Sequence, residues 1–309
     1  MPKVSILIPT HNRCEILART LNSLQGMERS QDNTLELVVV ANACTDATEQ
    51  VVTEKLRTFP FPGRCICESK VGLSYARNRC MREASGDILA FLDDDVWVEP
   101  GWLRGMLEVY DRFPADVVGG RVRLWWDAVR PPPWLSPPVR MFLSEYDRGD
   151  AVEELPGRGG GILGANFSFR RAVYSRIGEF KVALGRVGNN SAGGEESDYY
   201  LRAVAAGFRC YYAPDAIVKH WVAPHRLTQG YLDGVSYGAG RASILMKETL
   251  SARQFLRSLA GRPYLLAKSG CAELWSTLRG NERARIRWRL ERLAALGGLT
   301  ALFHRFLCR

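Results

Sequence analysis

The chain lacks most of the features that mark a secreted, disulfide-stapled or membrane-spanning protein. Its eight cysteines are scattered through 309 residues, and only Cys65 and Cys67 stand close together. No Cys-x-x-Cys pair occurs, which argues against a zinc site. Reduced, mostly buried thiols in a cytosolic protein are therefore expected. No stretch reaches the roughly 20 apolar residues that cross a bilayer. A signal peptide is not expected either, because the strand-like run at residues 3–8 meets Pro9 where a longer apolar segment would be needed. Internal repeats and long low-complexity tracts are missing, so a repeat architecture is not expected.

What is present is an ordinary globular composition with a basic surplus. Lysine and arginine number 42 against 33 acids, a net charge of +9. Such a balance suits an anionic partner: a phosphate-bearing substrate, a membrane surface or nucleic acid. The surplus is concentrated in residues 279–309, so it marks a local surface, and a nucleic-acid partner is not expected. The length allows one large domain with an appendage, or two.

The chain is organised around Gly86-Asp87-Ile88-Leu89-Ala90-Phe91-Leu92-Asp93-Asp94-Asp95. Five consecutive apolar residues run straight into three carboxylates. A short, bounded apolar run reads as a strand buried on both faces. Adjacent acids repel, and a cation with hard oxygen ligands, magnesium or manganese, would relieve that repulsion. Taken alone, the three acids fit a solvated acidic turn equally well. In an open α/β sheet, however, ligands gather beyond the carboxyl ends of strands.

Before this stretch, strands and helices alternate. Val4-Ser5-Ile6-Leu7-Ile8 reads as a strand stopped by Pro9, followed by a helix with Leu17, Leu21 and Leu24 on one face. Residues 35–40 read as a second strand and 64–67 as a short third. Between them Thr45 or Asp46 caps a helix. A further helix opens at Gly72-Leu73-Ser74 and runs to about Ala84. The alternation predicts a parallel, doubly wound sheet. It brings Pro9 to Arg13, Ala41 to Asp46, Glu68 to Gly72 and Asp93 to Asp95 to one edge. Beyond it, residues 97–113 read as a helix and 117–120 and 121–126 as strands. The five prolines of residues 130–138 exclude regular structure. That segment and the glycine-rich 157–161 fit either plain loops or a mobile cover over a substrate. Residues 164–171 alternate like a strand, and 172–177 turn helical. Tyr199 opens a helix ended by Gly207, with Glu195, Glu196 and Asp198 just before it. Residues 208–212 and 216–219 read as short strands, the second leading to His220.

These residues resemble a family 2 glycosyltransferase with the GT-A fold. The resemblance rests on an ordered set: Pro9-Thr10-His11-Asn12-Arg13, Asn42-Ala43-Cys44-Thr45-Asp46, Gly72-Leu73-Ser74-Tyr75-Ala76-Arg77-Asn78, Phe91-Leu92-Asp93-Asp94-Asp95, Gly164-Ala165-Asn166 and Gly194-Glu195-Glu196-Ser197-Asp198. It covers residues 1 to about 225 and fades beyond Arg226. It implies a mostly parallel mixed sheet flanked by helices, with a nucleotide-sugar half at 1–120 and an acceptor half at 121–225. A helical, basic extension at 226–309 would follow. It also implies transfer, with inversion, from a nucleoside diphosphate sugar to a glycan or lipid-linked acceptor, with manganese or magnesium on the donor diphosphate. By the same resemblance Asp95 holds the metal, and Asp93 and Asp94 touch metal or ribose. Pro9, His11, Arg13, Asn42, Asp46, Gly72 and Arg77 line the nucleotide sugar. Glu195 and Glu196 form the acceptor-side base motif, with Asp198 two residues on. Two departures stand out. Ala41 occupies a position where members commonly carry an acid, which puts uridine specificity in doubt. Glu195-Glu196 stands where members often have Glu-Asp.

The chemistry fits the two acid clusters. A metal neutralises the leaving diphosphate, and a carboxylate takes the acceptor proton. Arg13 and Arg77 would add electrostatic stabilisation, although Arg77 also fits a surface salt bridge. His220 fits a metal ligand or a structural histidine. Asn166 fits an acceptor or donor contact or a turn-stabilising residue. Trp125, Trp126 and Trp134 fit sugar or lipid stacking, or a satellite core. Residues 283–296 form a basic helix, with Ile286, Leu290 and Leu293 on one face beside Arg285, Arg289 and Arg292. An apolar continuation includes Phe303 and Phe306. That helix suits either an anionic membrane surface, which would put the protein on the cytoplasmic face of a membrane, or packing on the catalytic domain. A nucleotidyltransferase would want a glycine- and lysine-rich loop after the first strand, and Pro9-Thr10-His11-Asn12-Arg13 is not one. A nucleotide-sugar-binding protein without catalysis would not need Asp95 and Glu196.

Overall fold

The computed structural model describes residues 2–30, 32, 34–127, 129–157, 161–186, 193–247 and 251–307, apart from the side chains of 252, 306 and 307. The elements in chain order are β1 (Val4–Thr10), α1 (Cys14–Gln25), β2 (Leu35–Asn42), α2 (Thr48–Leu56), β3 (Gly63–Glu68), α3 (Leu73–Glu83), β4 (Ile88–Leu92), β5 (Val96–Val98), α4 (Trp102–Arg112), β6 (Val117–Trp125), α5 (Pro137–Arg140), β7 (Glu153–Glu154), β8 (Asn166–Arg170), α6 (Arg171–Ile177), α7 (Glu195–Ala205), β9 (Cys210–Trp221), α8 (Gln229–Leu245), α9 (Ala252–Leu278) and α10 (Glu282–Leu307). They form two compact units. One contains residues 1–125, 144–183 and 195–221; the other contains 126–143, 184–194 and 222–309.

The first unit is built on a sheet of order β3-β2-β1-β4-β8-β6-β9-β5, with β7 added against β9. The β3-β2-β1-β4 half is parallel, so the ends of these strands share one edge, as the alternation of elements predicts. Antiparallel β8 links this half to β6 and β9, giving the mostly parallel mixed sheet that the resemblance implies. Strands β1, β2 and β4 read as unbroken apolar runs because both of their faces are covered. Ile6, Ile8, Val39, Ala90 and Leu92 pack on one side with Leu17 and Leu21 of α1 and Trp102 of α4. Leu7, Val38, Val40, Leu89 and Phe91 pack on the other with Cys80 and Met81 of α3 and Tyr199 of α7. Each fully buried leucine or isoleucine contributes about 1.5–3 kcal/mol relative to exposure.

Several boundaries differ from the sequence reading. Pro9 does not stop β1, which runs on to Thr10. Pairing with β4 has ended by then, at Leu7↔Phe91. The strand is therefore one-sided there and tolerates a residue with no N–H. The helix expected from Trp97 begins only at Trp102, and Val96–Val98 is the edge strand β5, paired with β9 at Val96↔His220. The two expected strands before Trp126 are one, β6, and the two before His220 are one, β9. The interruption in each is a bulge, where the register jumps from Gly120↔Ala213 to Arg121↔Ile217. Pro137 opens the four-residue helix α5, since proline suits a first helical turn. Helix α7 starts at Glu195, four residues earlier than expected. Of the glycine-rich stretch read as a cover, residues 158–160 lie outside the described residues, as does the Phe306 side chain.

The second unit is mainly three helices. Helix α10 packs along both α8 and α9, with Leu290, Ala295, Ala301 and Leu302 buried. Of the three arginines set beside the apolar face of α10, Arg289 and Arg292 are held by other helices of this unit, and Arg285 lies 3.6 Å from Glu282 of its own helix. Arg289 forms a fork with Asp233 at 2.7 and 2.9 Å, and Arg292 donates to Glu273 at 2.7 Å. The apolar side of α10 that carries Leu290, Ala301 and Leu302 is covered by α8 and α9 of the same unit, a packing partner other than the catalytic domain named as the alternative, while Leu296 and Phe303 stay exposed. No helix among the described residues is long and apolar enough to cross a membrane.

Candidate active site

The edge where β1, β2 and β4 end carries the first acid cluster. One ligand atom from each of Asp93, Asp95 and His220 lies within 4.8 Å of the others. His220 enters from β9. Its Nε2 is 3.2 Å from Asp95 Oδ1, and both side chains are only 2% exposed. Asp93 is the open member, its side chain 28% exposed. Two carboxylates and an imidazole form a donor set suited to a divalent first-row metal; manganese accepts both donor types more readily than magnesium does.

Arg13 and Thr10 organise the cluster from below. Arg13 Nη1 donates to Asp94 Oδ1 at 2.9 Å and to Asp95 Oδ2 at 2.8 Å, and the Thr10 hydroxyl donates to Asp94 Oδ2 at 2.7 Å. The Thr20 hydroxyl holds the Asp94 carbonyl at 2.7 Å. Asp94, with Asp95, keeps the Arg13 guanidinium protonated well above its ordinary range. Burial pushes the Asp94 carboxyl up, against the pull of Arg13. Asp94 is thus spent on the protein, Asp95 is buried between Arg13 and His220, and only Asp93 of the three is open to solvent. Thr10 was missed as a positioning residue, although it sits inside the Pro9-Arg13 motif.

The second acid cluster opens α7, and Arg77 joins it to the first. Arg77 is 2% exposed, with Nη1 2.6 Å from Glu195 Oε1 and 3.8 Å from Glu196 Oε2, and Nη2 3.5 Å from Asp93 Oδ1. Its guanidinium also reaches the Gly164 carbonyl at 3.3 Å and lies 5.6 and 5.7 Å from the rings of Phe167 and Phe180. Arg77 is therefore a buried bridge and not a surface salt bridge. The three acids of α7 are in different settings. Glu195 is buried against Arg77. Asp198 is held by Lys181 at 2.9 Å and by Arg202 at 2.7 Å. Glu196 keeps 19% of its side chain exposed. Neither Lys181 nor Phe180 carried a sequence signal, because both reach the site from a loop.

The remaining candidates divide by setting. His11 Nδ1 lies 2.5 Å from the Asn42 carbonyl on the exposed turn after β1. The Asn42 amide donates to the Lys70 carbonyl at 2.7 Å and accepts from Gly72 N at 2.8 Å, so it ties β2 to the start of α3. Asp46 accepts from Cys14 N at 3.1 Å and Thr48 N at 3.0 Å, capping two helix starts. Pro9 is a buried strand residue. Asn166 is a correction to the acceptor reading. It is 3% exposed, its oxygen accepts from Trp102 Nε1 at 2.8 Å, and its nitrogen donates to the Arg121 and Ala216 carbonyls at 3.0 and 2.7 Å. It satisfies the carbonyls left over at the β6–β9 bulge, and no amide atom remains for a substrate. A Cβ at Gly120 would lie 2.2 Å from that amide nitrogen, which is why the position is glycine. Trp125 stacks edge-on with Trp97 at 5.6 Å beneath Arg19. Trp134 lines a small cavity of the second unit with Leu232 and Arg285.

Known proteins resemble this chain in sequence and fold. The model named Glycosyl transferase family 2 matches residues 5–178. The succinoglycan biosynthesis protein ExoM of Rhizobium meliloti is 29% identical over 278 residues, covering 87% of this chain and 82% of that protein. A glucosyl-dolichyl phosphate glucuronosyltransferase of Haloferax volcanii is 27% identical over 251 residues, covering 79% and 77%. The mannosyltransferase PcManGT of Pyrobaculum calidifontis, solved with GDP-Man and Mn2+, superposes with a TM-score of 0.65 at 19% identity, over 98% of this chain and 88% of that one. S. aureus TarS with UDP gives 0.54 at 16% identity, over 99% and 92%. A family match spanning more than half of the chain, on a fold that carries one acid cluster at a strand end and the other at a helix start, makes this protein a member of glycosyl transferase family 2, and so a glycosyltransferase.

Proposed function

We propose that the chain moves a sugar, with inversion, from a nucleoside diphosphate sugar to a hydroxyl of a glycan or lipid-linked acceptor. The observation that carries this reading is the bridge through Arg77. One buried guanidinium touches Asp93 of the first acid cluster and Glu195 of the second, so the donor-side and acceptor-side acids share one site. The names of the relatives support the substrate classes: a dolichyl phosphate glycan for one, a succinoglycan for another, and GDP-Man with Mn2+ in a solved structure.

Asp93, Asp95 and His220 would hold the divalent cation, which supplies Lewis-acid neutralisation of the leaving diphosphate. Arg13 offsets the charge of Asp94 and Asp95 and fixes Asp94, while Arg77 stands beside Asp93. Glu196 takes the proton of the acceptor hydroxyl as that oxygen bonds to the anomeric carbon. The bond from that carbon to the diphosphate oxygen breaks, and its electron pair leaves with the nucleotide. Attack from the face opposite the leaving group inverts the centre. Glu196 fits the role of base because Glu195 and Asp198 are already committed to Arg77, Lys181 and Arg202. Glu196→Gln should keep donor binding, read by thermal shift with manganese and nucleotide sugars, and lose roughly 100- to 10,000-fold in transfer rate. Transfer within a few fold of wild type would remove Glu196 from the role. Donor binding with no hydrolysis or transfer by the wild type would favour a binding protein instead.

A further inference from the structure

The outer face of α9 is apolar, basic and free of carboxylates. At about 100° per residue, Leu256, Tyr264, Leu274, Trp275 and Leu278 fall within an arc of roughly 100°. Leu256, Tyr264, Leu274 and Leu278 are 62–74% exposed and Trp275 57%. The opposite face is the packed one. Phe255 and Leu259 lie against Ile244, Ala301 and Leu302, and Arg262 donates to the Ser243 hydroxyl at 2.8 Å. Glu273, the helix's only acid, faces inward and pairs with Arg292 at 2.7 Å. Exposed Arg253, Arg257 and Lys268 accompany the stripe, and Arg279 stacks on the Trp275 ring at 4.3 Å.

We infer that α9 lies in the surface of a membrane bearing anionic headgroups, with its axis in the membrane plane. A long apolar face edged by lysine and arginine, with tryptophan and tyrosine among the leucines, is the pattern of an interfacial helix. The charge pattern selects lipid over a second copy of the chain. Two such faces pressed together would set cation against cation with no acid to offset them, whereas anionic headgroups match them. The helix lies on the bilayer and does not span it, since no described helix is long and apolar enough. The inference puts the membrane contact on α9 and not on α10, where Arg289 and Arg292 are paired with Asp233 and Glu273. The inference does not depend on the catalytic assignment: donor hydrolysis reads the active site, and vesicle binding reads the stripe.

The test uses the purified full chain, sedimented with vesicles of phosphatidylglycerol and phosphatidylcholine or of phosphatidylcholine alone. The wild type is expected to pellet with the anionic vesicles at low salt and to be released as salt rises. Leu274→Glu/Leu278→Glu should weaken binding roughly tenfold or more by removing apolar burial. Arg257→Glu/Lys268→Glu should weaken it by roughly 30-fold or more and flatten the salt dependence. Both variants should keep the wild-type melting temperature and donor hydrolysis. If the leucine pair disturbs folding, Tyr264→Ser/Leu278→Ser carries the same comparison. Wild-type protein that ignores anionic vesicles at low salt would overturn the inference. So would variants that bind as wild type, or a solution dimer that the leucine substitutions dissociate.

Discussion

At the scale of single residues, the site depends on Arg77. A guanidinium with 2% exposure is held by Glu195 at 2.6 Å and Asp93 at 3.5 Å, between two phenylalanine rings. Removing one member of such a buried group leaves charge without a partner and typically costs about 3–5 kcal/mol. Arg77→Met should therefore lower unfolding free energy by that order in guanidinium titration. Adding Glu195→Gln should recover part of the loss, because the stranded carboxylate is then neutral. Additive losses would show that the two side chains act independently. The two acid clusters were legible in the sequence because runs of acid at a strand end and a helix start are local patterns. Their junction was not. Arg77 and Glu195 are 118 residues apart, and only the sheet brings them together. The same limit applies to Asn166: its place after Gly164-Ala165 marked it as important, but burial at the bulge decided that it serves the backbone and not the acceptor.

At the scale of elements, helix contacts in the second unit turn on glycine. A Cβ at Gly240 of α8 would lie 1.9 Å from the Ala294 carbonyl of α10, and one at Gly297 would lie 2.1 Å from the Tyr237 carbonyl. The two backbones approach too closely for any side chain at those positions. Gly240→Ala should thus cost at least the ~1–3 kcal/mol of ordinary overpacking. Gly261→Ala, where nothing lies within 4 Å, should stabilise α9 by about 0.5–1 kcal/mol through helix propensity. Opposite shifts of the two variants in one thermal unfolding series check the contact; equal shifts would contradict it. Element type was legible wherever period and caps agreed, as in α1, α3, β2 and β4. It failed at Val96–Val98, too short for a period to show, and at β6 and β9, where a bulge looks like a strand end. The amphipathic pattern of α10 was read correctly as a face, but a sequence cannot say whether lipid or protein covers a face. Asp233, Glu273 and the glycines of α8 and α10 answered that.

At the scale of the whole molecule, acid stability traces to Glu36, a carboxylate buried within the sheet. Burial alone would raise its pKa. Hydrogen bonds from the Ser5 hydroxyl at 2.5 Å, from the Ser85 amide and hydroxyl at 2.6 and 2.8 Å, and from Arg64 at 3.0 Å outweigh burial and hold it at about 2, below the ordinary 4.5. A folded-state pKa below the unfolded value adds stability above about 4.5, and that stability is lost as pH falls toward about 2. The stability gap between wild type and Glu36→Gln, measured by urea unfolding, should be constant above about 4.5 and close between there and about 2. A gap that does not change with pH would rule this origin out. The sequence by itself determined the fold class, the alternation of elements and the two acid clusters. Periodicity, caps and strand-end chemistry are written in neighbouring residues, and six short motifs in order identify a family. The tertiary structure alone decided which acid stays accessible, that His220 meets Asp95, that Arg77 is a bridge and Asn166 a strut, and that α9 keeps an uncovered face. Each of these depends on which distant chain segment fills the space around a side chain, and no local pattern records that.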